Sequence, residues 1–405
     1  MQDFKKIKIC RICNGKFYKY SLKLKPTPIA NCLFSTYEEA VLAKRYPLEI
    51  VMCKNCKHIQ LKYILKPELL FNNYVYASST SVYFQNHFQL LANFIANNFD
   101  ENISIVEIGS NDGYLLRQLN NHKFKVFGIE PSKILADMSR CDNITIVNDY
   151  LNKHSVNNIL LQNGQVDLVI GNNVFAHIDN LKESFSLVNN ILKNNGSFIF
   201  EVNNFNKIVE LGYFDTIYHE HYSYHTITGL LYLIKSSGFS IDDVQEIDTH
   251  GASFRFILKK TKNFYVSETA NILLQKEIIS TDMFKLLKRT IKTKKHEYKK
   301  ILKIYKNCPI VGYGAPAKLI TFIYQLGYKK FPLSKIIDDN KLKQNKYIGG
   351  LGLEITQTIS GFSDTVFIIF PWNVSGEIKN KINNLKIKNS KILSFYPTVQ
   401  IKDVA

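Results

Sequence analysis

Residues Phe214 to His225, FDTIYHEHYSYH, place three histidines, two acids and three tyrosines within twelve positions. Imidazole titrates near neutral pH, and a tyrosine or glutamate beside it can orient the ring or share its proton. Such a cluster next to a cofactor-binding strand is a candidate general base. His219 and His221 are two apart, which on a strand or extended loop puts them on one face, with His225 four positions further on. Only one base is required, and His225 and Tyr224 are expected to pack.

Four cysteines carry a second chemistry. Cys10 and Cys13 form one Cys-x2-Cys knuckle and Cys53 and Cys56 another, and four thiolates close a tetrahedral zinc site. Such a site is structural, because no position is left open for water. Cys32, Cys141 and Cys308 stand alone, and His58 beside the second knuckle is expected at the surface. Seven cysteines in a chain of 405 residues argue for thiols and metal ligands rather than a disulfide framework. No apolar stretch approaches the roughly 18 residues of a membrane span, and MQDFKKIKICRIC lacks a signal-peptide core, so a cytoplasmic protein is expected.

The elements that must position these groups alternate. ISIVEIG, KVFGIE, VDLVIGNNV and GSFIFEV read as strands separated by helical patterns such as YLLRQL, which implies a mostly parallel, Rossmann-like α/β sheet. The first strand runs into Glu107, Gly109, Ser110, Asn111, Asp112 and Gly113, whose glycines allow close backbone approach where a helix begins. Glu130 closes the second strand about 20 residues on, where an acid takes both ribose hydroxyls in dinucleotide folds. The loop lacks the full G-x-G-x-x-G pattern for a pyrophosphate, so S-adenosylmethionine suits it better than a nicotinamide. The expected cofactor-binding set is Glu107, Gly109, Asn111, Asp112, Gly113, Glu130 with Pro131 and Ser132, Asp149 with Tyr150, and Asn173. An ordinary glycine-bearing turn with a surface glutamate is the bland alternative. His177 in NNVFAHIDN follows the fourth strand, at the sheet edge where substrate-facing groups collect.

A second α/β pattern starts near Pro309 with PIVGYGAPAKLITFIYQLG. Exposed amides of Gly314 and Ala315 at the helix start, aided by Lys318, are candidates to hold a diphosphate. Asp338, Asp339, Trp372 and Asn373 follow later strands. The net charge of +18 suits phosphorylated substrates, nucleic acid or an anionic surface. Its densest part, Lys285 to Lys306, has apolar residues recurring as on an amphipathic helix, so a solvated helix face is expected there. A nucleic-acid methyltransferase or binding protein is the main alternative, although the knuckles lack a basic recognition helix. An NAD-dependent sugar-nucleotide enzyme would need a hydride-handling site such as Tyr-x3-Lys, and none is evident.

Taken together, PTPIANCLF, YPLEIVMCKNC, FNNYVYASSTS, VEIGSNDGYLL, GIEPS, NNVFAHIDN, FDTIYHEHYSYH, HGASFR, VGYGAPAK, IDDNKLKQNKYIGG and FPWNVSGEI carry a resemblance that runs nearly end to end. The chain resembles the sugar C-methyltransferases that alkylate carbon 3 of nucleotide-linked 4-keto-deoxysugars in branched-sugar biosynthesis, for surface polysaccharides or secondary metabolites. The resemblance implies His221 as base, Tyr218 and Glu220 as its neighbours at the sugar, and Tyr76 closing the site from the N-terminal side. His177 joins the expected catalytic set, and Tyr76, Tyr222, Gly314, Lys318 and Asn373 form the expected substrate-binding set. HGASFR departs from the family in having Ala252 where a second glycine is usual, and Asn172 and His225 are atypical. The domain map that follows is a zinc module over 1–70, an S-adenosylmethionine-dependent methyltransferase domain over 71–260, a helical connector over 261–307 and a C-terminal α/β sugar-nucleotide domain over 308–405.

Overall fold

A computed structural model describes residues 3–71, 78–327, 332–357 and 362–404. Its central element is a seven-stranded sheet of β1 (Ser104–Ile108), β2 (Lys125–Ile129), β3 (Ile144–Val147), β4 (Val166–Asn172), β5 (Leu192–Asn203), β6 (Phe239–Ile247) and β7 (Ser253–Lys260). The spatial order is 3-2-1-4-5-7-6. Strands 1 to 5 pair in parallel, and β7 slots antiparallel between β5 and β6. The first five strands follow the order of a dinucleotide fold, so the chain reverses direction across the sheet between β1 and β4, where such folds bind ligands.

Both faces of this sheet are covered, which explains why its strands read as near-continuous apolar runs. Ile105, Leu168, Ile170 and Ile199 point to the face packed by Phe84, Phe88 and Leu91 of helix Val82–Asn98. Val106, Val169, Phe198 and Phe200 point to the other face, against Phe185, Val188 and Leu233. Helix starts are set locally. Asn152, Asn180, Asn204, Thr226 and Ser267 each accept from the amide three residues on, satisfying a donor the first helical turn leaves open.

Two further sheets flank the central one, and both borrow strands across the chain. A four-stranded antiparallel sheet runs Ser223–Tyr224, Ile59–Leu61, Tyr46–Met52, Leu22–Thr27, so its edge comes from the histidine-rich segment. An eight-stranded sheet, built around Ile310–Tyr313 and Leu333–Ile337, is closed at one end by the N-terminal pair Leu33–Phe34. Helix Asp282–Ile304 packs Met283, Phe284, Leu287 and Tyr298 inward and leaves most of its lysines in solvent. Lys294 is the exception. It is buried, and its ammonium donates to the carbonyls of Phe395 and Pro397 at 2.5 and 3.1 Å.

The entry to β7 is strained. His250, Gly251 and Ala252 have φ of 49°, 88° and 102°. Gly251 is required, because a Cβ there would lie 2.2 Å from the Trp372 ring. Ala252 has no such excuse: a left-handed backbone costs an L residue about 1–2 kcal/mol. The glycine that the family resemblance leads one to expect at this position would adopt that backbone freely. Ala252→Gly is expected to stabilise the protein by on the order of 1 kcal/mol once the added unfolded-state freedom of glycine is subtracted, read from urea denaturation midpoints.

Candidate active site

The histidine-rich segment is not an extended strand throughout. Phe214–Thr216 forms a 3-10 turn, held where Trp372 Nε1 donates to the buried Asp215 carboxylate at 2.9 Å and where Thr321 Oγ1 donates to the Ile217 carbonyl at 2.7 Å. The His221 amide then donates to the Tyr218 carbonyl at 3.1 Å, closing a tight turn before the strand Ser223–Tyr224. This turn corrects the expectation that His219 and His221 share a face. His219 is fully buried against Tyr46, with ring centroids 6.1 Å apart, whereas His221 is partly exposed and faces His177 at 5.0 Å.

Hydrogen bonds fix the tautomer of His221. Its Nδ1 lies 2.9 Å from the Thr216 carbonyl, which can only accept, so Nδ1 carries the proton. Nε2 therefore presents its lone pair, and the Tyr218 hydroxyl donates to it at 2.8 Å. His177 is held in the same way, with Nδ1 donating to the Glu220 carbonyl at 2.9 Å. Burial, then the neighbouring His177, holds His221 well below the ordinary histidine range. Burial alone lowers His177 to about 4. Both rings are neutral at pH 7.

Glu220 behaves oppositely. Its carboxyl is 2 % exposed and burial pushes its pKa up to about 8, against the lowering effects of the Asn31 amide at 3.3 Å and of Lys343. Burial thus favours its protonated form near neutral pH. Tyr224 and His225 pack as expected, each 1 % exposed. Tyr222 does not meet its expected role. Pairing of Ser223–Tyr224 with Ile59–Leu61 turns its ring into the core, where its hydroxyl donates to the Leu65 carbonyl at 3.2 Å. Tyr76 lies outside the described residues.

The loop after β1 forms the cradle expected for a cofactor. Gly109, Asn111 and Gly113 have φ of 67°, 52° and 73°, and a Cβ on Gly109 would press on Val174 at 3.1 Å. Both oxygens of Glu130 are oriented by backbone amides, Asn111 at 2.9 Å and Ser132 at 2.8 Å. Glu107 is 4 % exposed with Oε2 unpartnered among the described residues, and its pKa is raised well above normal by burial, then by Asp112 and Glu130. A buried carboxyl short of a donor, in an acidic cradle, fits a ligand with cationic ammonium and sulfonium groups. Tyr150, 48 % exposed, lies at the open side. Asn173 has φ of 56°, and its amide donates to the Glu201 carbonyl at 2.8 Å. Pro131 is exposed beside Glu130. Two expected ligands are otherwise engaged. Asp112 accepts from Ser78 Oγ and the Ser79 amide, both at 3.1 Å, and so pins that segment over the cradle. Asp149 accepts from Tyr150 N, Asn152 and His154 in its own loop.

The diphosphate cradle expected at Gly314 and Ala315 is not formed. The Gly314 amide donates to the Ile337 carbonyl at 2.7 Å and the Ala315 amide to the Asp338 carboxylate at 2.7 Å. An anion would meet occupied donors and an acid. Gly314 instead has a steric role, since a Cβ there would strike Pro371 at 2.2 Å. Lys318 and Asn373 do come together: Lys318 Nζ donates to Asn373 Oδ1 at 2.6 Å and sits 3.6 Å from the Trp372 ring centroid. Burial lowers Lys318 to about 8, opposed by Asp215.

His250 was missed by the sequence reading. Its strained backbone holds the ring 4.7 Å from Phe84, and burial followed by Lys318 lowers it to about 3. Its charge would also act on His221. The motif HGASFR was the available signal. Arg255 of that motif pairs through Nε and Nη2 with Glu201 Oε1 at 2.9 and 2.8 Å, and His87 meets Oε2 at 2.7 Å.

The four knuckle cysteines converge. Sγ of Cys10 and Cys56 are 3.6 Å apart, those of Cys13 and Cys53 3.4 Å, and all four lie within 4.8 Å of one another. A tetrahedral ion at about 2.3 Å from each sulfur needs separations of about 3.8 Å, so the set fits zinc. His58 is no surface residue. It is 1 % exposed, with its ring 6.0 Å from that of His225, because the strand after the second knuckle runs straight into the core.

The fold and site thus define a methyltransferase that binds S-adenosylmethionine and carries a four-cysteine zinc centre. The family models agree. They match in series: a zinc binding domain over residues 10–71, a methyltransferase domain over 83–244 and a C-methyltransferase C-terminal domain over 248–397. The chain is 25 % identical over 390 residues to C-methyltransferase NovU of Streptomyces niveus, covering 93 % of each. Solved structures similar to it include magnesium protoporphyrin IX methyltransferase from Synechocystis PCC 6803, 14 % identical over 44 % of this chain and 83 % of that one, with a TM-score of 0.36. Another is an S-adenosylmethionine-dependent methyltransferase from Clostridium acetobutylicum, 18 % identical over 45 % of this chain and 94 % of that one, with a TM-score of 0.35. The chain is an S-adenosylmethionine-dependent methyltransferase, similar along its length to C-methyltransferase NovU.

Zinc binding in such a module is folding energy. Cys53→Ser is expected to lose the metal and to lower the thermal midpoint by several degrees or more, read by elemental analysis beside calorimetry. A metal-free variant with an unchanged midpoint would contradict a structural role.

Proposed function

We propose that this protein adds a methyl group to carbon 3 of a nucleotide-linked 4-keto-deoxysugar, with His221 as the base, in the biosynthesis of a branched sugar. The observation that carries this reading is the neutral, partly exposed His221 ring, whose Nε2 accepts from the Tyr218 hydroxyl and which packs against His177. The likeness to a C-methyltransferase supports carbon as the acceptor, since an alkylated carbon must first lose a proton.

A ketone at carbon 4 acidifies that proton, because the resulting anion spreads onto the carbonyl oxygen. His221 Nε2 takes the proton, and Thr216 stabilises the imidazolium that forms through its bond to Nδ1. Tyr218 leaves Nε2 as the substrate enters, and its freed hydroxyl can donate to the enolate oxygen. Glu220, kept protonated, is a second donor of the same kind. S-adenosylmethionine, when bound, supplies an electrophilic methyl. The protein's remaining task is alignment of donor and acceptor, with Glu107 and Glu130 fixing one side. The contacts of Lys318 with Asn373 and Trp372 support a role for its ammonium in meeting a substrate phosphate. Free and metal-ligating thiols suit the reducing cytoplasm, where nucleotide sugars would be met.

Incubation with S-adenosylmethionine and a panel of nucleotide-linked 4-keto-6-deoxysugars, followed by mass spectrometry and proton NMR, tests the reading. A new methyl on carbon 3 is expected; transfer to oxygen, or to RNA alone, would overturn it. His221→Ala is expected to lower turnover by about 10²–10⁴ and to abolish solvent exchange of the carbon 3 proton, while S-adenosylmethionine still binds. The pH profile has two sides. A base depressed below its ordinary 6.5 stays neutral as pH falls, so the acid limb of kcat/KM is expected below 6.5. Glu220 loses its proton as pH rises through about 8, so activity is expected to fall there, and Glu220→Gln should remove that alkaline limb.

A further inference from the structure

We propose that Arg11, inside the first zinc knuckle, is a positioning residue that sets the spacing and ring orientation of His177 and His221. This inference rests on the reading of that pair as the reactive site. Arg11 lies far from both histidines in sequence, between two metal ligands, and no catalytic motif points to it.

The guanidinium bridges two loops. Nη1 donates to the carbonyls of Asp179 at 2.7 Å and Ile178 at 3.3 Å, and Nη2 donates to the Tyr222 carbonyl at 2.7 Å and to Ser223 Oγ at 2.6 Å. Ile178 and Asp179 are the two residues after His177, and Tyr222 and Ser223 are the two after His221. One planar group therefore grips each histidine-bearing loop at the same offset. On the other side the loops are tied directly, by His177 Nδ1 to the Glu220 carbonyl. The two ties together determine the 5.0 Å separation of the rings.

Arg11 is itself anchored. Its side chain is 7 % exposed, its charge is balanced by Asp179 at 3.5 Å, and its backbone amide donates to Gln60 Oε1 at 3.0 Å. Gln60 sits opposite Ser223 in the borrowed strand pair, so the anchor and the gripped loop belong to one sheet. The cysteines on either side place the Arg11 backbone once the knuckle closes on zinc. The fork geometry matters here. A lysine could neutralise Asp179 but, as a point charge with no planar fork, could not hold both loops.

A merely structural arginine and a positioning one differ in what survives its removal. The test uses the full-length, zinc-loaded protein with ¹⁵N-labelled histidine, and compares wild type with Arg11→Lys, Arg11→Ala and Ser223→Ala. Zinc content, thermal midpoint and long-range ¹H–¹⁵N NMR of the imidazoles are read before any substrate is added. In wild type both His177 and His221 should show fixed Nδ1 protonation. In zinc-loaded, folded Arg11→Lys the ring signals are expected to report mixed tautomers, with kcat for methyl transfer down at least tenfold and KM for S-adenosylmethionine within twofold. Ser223→Ala, which removes one anchor without touching the knuckle, should move in the same direction by less. Guanidinium ion added to Arg11→Ala should restore part of the turnover.

Fixed tautomers and wild-type turnover in zinc-loaded Arg11→Lys would overturn the proposal. So would loss of zinc in Arg11→Lys together with an unaffected Ser223→Ala, since Arg11 would then serve only the knuckle. The NMR result needs no sugar. A wild-type protein that methylates no member of the panel would fault the functional reading and leave the tautomer result to decide the role of Arg11.

Discussion

The geometry of the site depends on a two-residue strand. Ser223 and Tyr224 pair with Gln60 and Ile59, and in doing so attach the histidine-rich turn to the sheet that carries the zinc knuckles. The backbone bonds on this edge orient everything upstream. They leave room for the tight turn from Tyr218 to His221, send His219 and Tyr222 into the core, and keep His221 partly exposed. A short turn alone has many conformations. A turn closed on one side by a sheet and on the other by Asp215, Trp372 and Thr321 has few, and the entropy is removed before substrate arrives.

Burial then divides the work between groups that would otherwise all titrate near their ordinary values. Imidazoles enclosed by protein lose their proton more readily, whereas a carboxyl in the same surroundings keeps it, because in each case the charged form is penalised. His177 and His221 are neutral and Glu220 is protonated for the same physical reason. Neutral imidazoles and a carboxyl that favours its protonated form therefore lie within a few residues of one another in one short segment and the loop packed on it. The cradle near β1 is different in character: Glu107 is crowded by other acids and short of a donor, which favours a cation.

Interlocking of the modules follows from the chain's unusual economy of connections. Residues between the knuckles do not all stay with the zinc sheet: Leu33–Phe34 extends the C-terminal sheet, the amide of Asn31 reaches Glu220, and the Lys25 amide of the zinc sheet donates to Gln325 at 2.8 Å. Pro26, Pro28 and Pro47 disfavour one continuous helix there and suit an excursion of this kind. Trp372 returns the contact from the other end, packing on Tyr213 at 3.9 Å between centroids and filling the space that Gly251 leaves.

Local chemistry was legible in the sequence. Strand periodicity gave β1, β2, β4 and β5, the glycines and Glu130 gave the cradle, the two Cys-x2-Cys pairs gave the metal centre, and the histidine cluster gave a candidate base with its motif neighbours. Each of these signals lies within a few residues, where backbone geometry ties position to role. The failures share a cause. Whether the amides of Gly314 and Ala315 are free depends on Ile337 and Asp338; whether Tyr222 meets solvent depends on a strand about 160 residues away. His58, His250 and Arg11 acquire their places from contacts that no spacing rule encodes. The sequence by itself determined which chemistries the chain can hold, through residue types at short range. The tertiary structure alone decided which of those groups face one another and which are already satisfied, because hydrogen-bond partners and dielectric surroundings are supplied by residues remote in the chain.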